Sequence, residues 1–172
     1  LAHGYPMPVA GGFLPPGIPG HSPDTGLTYE PDLARQLLAQ AGYPGGKDFP
    51  ELNLYLLKSK ELDRMGELIL RSWQETLGIT LHLQHTDLIE NFHTLHLSGL
   101  GYIAWLADYP DADNFLRVAL GHYQVLEYWN NLEFSRLVAD ARRCLDPERR
   151  HEMYRQADRL LTQDAVLMPV TY

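Results

Sequence analysis

Cysteine is nearly absent from this 172-residue chain, basic residues are outnumbered, and no apolar run approaches the roughly 20 residues of a membrane span. Each shortage removes a class of protein. Cys144 stands alone, so no internal disulfide can form; the redox compartment stays open and the thiol is assigned a packing role. With 14 Lys and Arg against 22 Asp and Glu, the net charge of −8 provides no clustered cationic face for nucleic-acid phosphates. No nucleophile elbow, glycine-rich phosphate loop or zinc-ligand spacing is present, so no catalytic residue, cofactor or metal is expected. The chain opens on Leu1 without a basic, apolar leader, and its first residues form a connection rather than a domain start. It therefore reads as a segment excised from a longer protein.

What is present is an ordinary globular composition, 45% apolar and 21% charged. Residues 1–27 are a connecting loop in which Pro15, Pro16, Gly17, Pro19 and Gly20 forbid helix and ladder pairing. Pro31 opens a helix through Leu33, Leu37, Leu38 and Ala41, stopped at Gly42. Leu52 to Leu57 reads as a strand, and Leu62, Met65, Leu68, Ile69, Trp73 and Leu77 trace one stripe of a helix closed by Gly78. Ile79, Leu81 and Leu83 alternate with polar residues as a strand does. A helix through Leu88, Ile89, Phe92 and Leu95 and a buried strand over residues 101–106 complete the order strand, helix, strand, helix, strand. That order predicts an α/β fold with a mostly parallel or mixed sheet flanked by helices, and ligands beyond the carboxyl ends of the strands. Two further helices carry Phe134, Leu137, Val138, Ala141 with Cys144 in register, and then Tyr154, Ala157 and Leu161. Residues 165–171 read as a last strand.

The densest polar and aromatic cluster runs from Trp105 to Phe115 and contains Ala107, Asp108, Tyr109, Pro110, Asp111, Asp113 and Asn114. Two readings fit it. A carboxylate flanked by large aromatic rings holds a cationic head by charge-assisted hydrogen bonds. Equally, Asp111 or Asp113 caps the helix through Phe115 and Leu116, and Trp105 packs in the core. Spacing leaves both open.

Other polar pairs carry less. His82 and His85 lie three apart on a strand and face opposite sides, while His93 and His96 share a helix face but have no third ligand. Asp108, Asp111 and Asp113 lack the spacing and the glycine of a calcium loop. A nucleophile pairing of Cys144 with His151 is weaker than core packing, and Asp87, Glu148 and Arg149 fit helix ends.

Residues Trp105 to Leu116 resemble the Trp-x-x-Asp-Tyr-x-(Asp/Glu)-Pro-x-x-Phe-Leu signature of the family 5 bacterial extracellular solute-binding proteins. These serve oligopeptide, dipeptide and nickel importers of the ABC type. The resemblance extends to the loop Leu14 to Gly20, the helix ending in Leu37-Leu38-Ala39-Gln40-Ala41-Gly42-Tyr43-Pro44, the segment Trp129 to Phe134, and the stretch Tyr154 to Pro169. These occur in family order over nearly the whole chain. Ala112 stands where the family often has proline, and Tyr102 where some oligopeptide binders have arginine.

The resemblance implies a lobe of the type II periplasmic-binding-protein kind: a single domain, 1–172, forming most of the second, C-terminal lobe of a two-lobed protein whose first lobe lies elsewhere. It implies a non-catalytic role, capturing peptides or similar small solutes outside the cytoplasm for a membrane permease. It also implies a ligand site of Asp108, Trp105, Tyr109, Ala107 and Tyr102, with the carboxylate at Asp108 pairing a peptide's α-ammonium. Members for nickel complexes or sugars share the scaffold, and the same module fused to a DNA-binding segment would make a cytosolic solute sensor.

Overall fold

The computed structural model describes residues 11–87 and 99–172. Tyr29–Ala104 is one of two compact units. In it α1 (Pro31–Gln40) starts with proline in the first turn, where its missing N–H costs nothing. β1 (Leu52–Leu57) leads into α2 (Lys60–Leu77), whose first turn is capped by Ser59 Oγ accepting the Leu62 N–H at 3.2 Å. Gly78, in the left-handed conformation, ends α2.

β2 (Leu81–Thr86) and β3 (Gly99–Gly101) flank β1 in the order β2-β1-β3, both parallel to it. The registers run Leu52↔Leu81 to Leu57↔Thr86 and Asn53↔Gly99 to Tyr55↔Gly101. The parallel sheet foreseen from the element order is thus observed. Gly66 lets α2 sit directly on the sheet, since a Cβ there would come within 2.7 Å of a Leu56 methyl and 2.9 Å of a Leu83 methyl. His85 Nε2 pairs with Asp63 Oδ1 at 2.7 Å, so its polar partner is a carboxylate on α2. The helix expected through Leu88 to Leu95, with His93 and His96, lies outside the described residues.

The expected buried strand over residues 101–106 is corrected. Pairing with β1 ends at Gly101, with one further bond from the Tyr102 N–H to Tyr55 O at 3.0 Å. Leu106 is 91% exposed. The reason is topological: at Ala104–Trp105 the chain leaves the sheet unit for the other unit.

The second unit combines the proline- and glycine-rich stretch through Thr28 with Trp105–Tyr172. A π-helix (Asn114–Ala119) runs into α3 (Leu120–His122), followed by α4 (Val125–Tyr128), α5 (Leu132–Arg143) and α6 (Pro147–Gln163). Asn131 Oδ1 caps α5 by accepting the Phe134 N–H at 3.0 Å, and Asp146 Oδ1 caps α6 through the Arg149 N–H at 3.2 Å. The buried faces are Phe134, Leu137, Val138 and Ala141 on α5, and Tyr154, Ala157, Asp158, Leu161 and Thr162 on α6. Both follow the 3.6-residue period, and each large apolar side chain so buried contributes about 1.5–3 kcal/mol. Phe115, Leu116 and Leu120 from the π-helix and α3 complete that core, as does Leu14 from the loop.

Two expectations fail here. Cys144 follows the end of α5 rather than lying on its stripe, and its Sγ faces Asp146 O at 3.5 Å; the chain turns extended there to reach the Asp146 cap. Residues 166–170 form no strand, with a single bridge at Thr171. Val166 and Leu167 pack against the helical core instead of pairing in a sheet.

Candidate functional site

The stretch Trp105 to Asn114 belongs to the helical unit. Its scaffold is a tight turn. Asp111 N–H donates to Tyr109 O at 2.9 Å, Asn114 N–H to Asp111 O at 3.1 Å, and Asp113 N–H to the Asp111 carboxylate at 2.8 Å. The capping reading of Asp111 is therefore correct.

Asp111 is also gripped from α6. Arg150 Nη1 and Nη2 donate to its two oxygens, each at 2.8 Å, in the forked geometry that suits a carboxylate. Arg150 in turn lies over the Tyr154 ring at 4.8 Å and donates to Tyr154 Oη at 3.3 Å. Burial alone would raise the Asp111 carboxyl, but the Arg150 hydrogen bonds, the Asp113 N–H and the Arg150 charge together hold it below the usual carboxylate range. Asp113 is treated alike: burial opposes ionisation, and the Arg117 hydrogen bonds, the Tyr109 hydroxyl at 3.0 Å and the Arg117 and Arg142 charges outweigh it. Burial pushes the Tyr154 phenol up to about 12. Tyr109, Asp111, Asp113, Arg142 and Arg150 line a shallow cavity of about 250 Å³ whose charges are spent on one another.

Asp108 differs from its neighbours. It is exposed, and among the described residues no arginine or lysine pairs with it. One oxygen, Oδ2, accepts from Asn114 Nδ2 at 3.3 Å. The same Asn114, fully buried, accepts the Trp105 indole N–H on Oδ1 at 2.6 Å. Trp105 is half-buried and packs against the helical core, as does Ala107, and its ring meets His122 and Tyr123 at 5.5 and 5.8 Å. Trp105 is thus at once part of the packing and a neighbour of the carboxylate.

Of the residues expected at the site, Trp105, Ala107, Asp108 and Tyr109 lie on this one stretch. Tyr102 belongs to the sheet unit. Asn114, Arg150, Arg117 and Arg142 were not foreseen. Asn114 had a sequence signal, a polar side chain immediately before the apolar Phe115-Leu116 pair; the arginines had none, because their partners are set by tertiary contact.

The family model described as bacterial extracellular solute-binding proteins, family 5 Middle, matches residues 3–125. Heme-binding protein A of Haemophilus influenzae is 30% identical over 169 residues, covering 92% of this chain and 30% of that protein. The periplasmic oligopeptide-binding protein OppA of Salmonella typhimurium is 27% identical over 143 residues, covering 81% and 26%. The solved murein tripeptide binding protein MppA of Escherichia coli superposes with a TM-score of 0.83 at 22% identity over 96% of this chain and 34% of that one. The chain thus spans about a third of the length of the relatives it matches. Its α/β fold is that of the type II periplasmic-binding proteins. A family-model match over most of its residues, joined to the Trp105 to Leu116 segment already described, shows that this chain belongs to the bacterial extracellular solute-binding proteins of family 5.

Proposed function

We propose that the chain is most of the second lobe of the solute-binding component of an ABC-type importer. In this reading it is a non-catalytic, extracytoplasmic protein that captures peptides between two lobes and passes them to a membrane permease, and residues 1–27 are the connecting loop. The supporting observation is the contrast among three neighbouring aspartates. Asp111 and Asp113 are paired with arginines, while Asp108 is exposed, accepts from an uncharged amide and has no arginine or lysine partner among the described residues. A fixed, unneutralised carboxylate beside an indole and a phenol fits an incoming α-ammonium, which must be paired with an anion once a closing cleft takes it from water. Ligand contacts are assigned to Asp108, Trp105, Tyr109, Ala107 and Tyr102.

Calorimetry on the full-length protein with a tripeptide library tests this. Asp108→Ala is expected to weaken binding by at least about tenfold, the scale of one lost charge-assisted hydrogen bond. N-acetylation of the peptides should weaken wild type similarly and the variant no further. Unchanged affinity in Asp108→Ala would rule out the assignment. The present chain alone should bind the same library weakly or not at all, since half a cleft leaves the peptide solvated; tight binding by it would argue against a two-lobed site.

A further inference from the structure

We infer that Asn114 is a positioning residue that couples Trp105 to Asp108, so that the indole wall and the ammonium-binding carboxylate are set as one unit. The inference rests on the reading of Asp108 as the ammonium contact. A primary amide carries an acceptor and a donor on one rigid plane, and both are used: Oδ1 takes the Trp105 indole N–H at 2.6 Å, and Nδ2 gives to Asp108 Oδ2 at 3.3 Å. The orientation follows from chemistry. An indole nitrogen only donates, so Oδ1 must face it, which leaves Nδ2 to face Asp108. The amide is 0% exposed, so water cannot substitute for either partner.

The backbone under Asn114 is equally fixed. It is the first residue of the π-helix, and its N–H is bound to Asp111 O at 3.1 Å, within the turn that Arg150 clamps. Single-turn π segments place side chains off the regular helical register. Here the side chain so placed lies between an aromatic ring and a carboxylate whose Cα atoms belong to an irregular stretch. Without that bridge, Asp108 is an exposed side chain free to choose among rotamers, and each binding event must restrict it.

Other residue types fail in different ways, which makes the role measurable. Asn114→Asp keeps the shape and the acceptor for Trp105 but sets acceptor against acceptor at Asp108. Asn114→Leu keeps the bulk and removes both bonds. The readout is the affinity of the full-length protein for a tripeptide library with free amino termini, divided by that for the N-acetylated library. Asp108→Ala should bring this ratio near one, and both Asn114 variants should lower it by about tenfold. A purely structural Asn114 would weaken both libraries equally and leave the ratio untouched, which would overturn the inference.

A second measurement needs no ligand. In full-length protein labelled with ¹⁵N-tryptophan, Asp108→Ala should shift the Trp105 indole N–H resonance in the wild-type background and leave it unmoved in Asn114→Leu. The same shift in both backgrounds would overturn the coupling. Absence of any free-amine preference in wild type would overturn the ammonium reading and with it a ligand role for Asn114, whereas a preference lost in Asp108→Ala and kept in both Asn114 variants would overturn this inference alone.

Discussion

Asp158→Ala should destabilise this chain by about 2–3 kcal/mol at pH 7, measured by urea unfolding with tryptophan fluorescence. Asp158 is 0% exposed on the core face of α6, and its carboxylate is the anchor of the proline- and glycine-rich loop. Oδ1 accepts the Phe13 N–H at 2.8 Å and Oδ2 the Leu14 N–H at 3.3 Å. The loop is seated for this contact: a Cβ on Gly12 would come within 2.3 Å of Oδ2, and Tyr172 donates to Gly12 O at 2.9 Å. Removing the carboxylate strands two backbone donors, at about 1–3 kcal/mol each, and loosens the hold on Leu14, a fully buried core residue. Relief of a buried charge offsets part of that cost.

That offset depends on pH. Burial pushes the Asp158 carboxyl up from 3.8 to about 6, against the lowering influence of the Phe13 and Leu14 N–H groups and of His21. The folded state therefore holds its proton more tightly than the unfolded state, and the stability this gives is fully present below 3.8 and is lost as pH rises to about 6. The shift is worth about 2 kcal/mol between pH 4 and pH 7. Asp111 and Asp113 run the other way: their folded carboxyls are lowered, so their contribution is present above their ordinary value of 3.8 and is lost in more acid solution. Wild type should accordingly become less stable from pH 4 to pH 6, and Asp158→Ala should lack that decline, so the penalty of the substitution is about 2 kcal/mol larger at pH 4. A penalty that does not grow toward acid pH would mean the carboxyl is not shifted by burial.

Asp158 also marks where sequence reasoning stopped short. Tyr154, Ala157 and Leu161 were legible as a stripe, and Asp158, at the fourth position after Tyr154, sits inside that stripe. A carboxylate on a core face signals a buried partner, but nothing local tells that the partner is a loop some 145 residues earlier. The same limit applies to Arg150 and Asp111, which are 39 residues apart. What was legible was local and periodic: the Pro31 start of α1, the strand over 52–57 and the helix closed by Gly78. The parallel sheet followed from the order of elements. The end of β3 was not legible, because Ile103, Ala104 and Leu106 look like buried strand, and nothing local marks that the chain passes into the other unit at Ala104–Trp105. At the candidate site, the stretch from Trp105 was legible as a polar and aromatic cluster. Its division of labour was not, since Asp108, Asp111 and Asp113 are identical side chains set apart by tertiary contacts, above all by which arginines reach them.

That division predicts the second large effect. Arg150→Met should cost about 2–3 kcal/mol, because it removes the guanidinium that forks onto Asp111, lies over the Tyr154 ring and donates to Tyr154 Oη. The pair is about three-quarters buried on both sides, with side-chain exposures of 24% and 28%. Its loss therefore falls between the small worth of surface ion pairs and the larger penalty of stranding a fully buried charge. Asp111 cannot simply turn to solvent, since its carboxylate is also the acceptor for the Asp113 N–H that starts the helical segment. The double variant Asp111→Asn with Arg150→Met isolates the pair: about 1–2 kcal/mol of coupling is expected in the thermodynamic cycle, and coupling indistinguishable from zero would show that Arg150 acts by packing alone. The consequence reaches the site through the backbone. Asp111 N–H is bound to Tyr109 O, so the clamp on Asp111 fixes the residue next to Asp108. In the full-length protein Arg150→Met should therefore weaken binding of the free tripeptide library more than that of the N-acetylated one, because the turn it loosens holds Tyr109, the residue after Asp108, and, through the Asn114 N–H on Asp111 O, the Asn114 bridge as well.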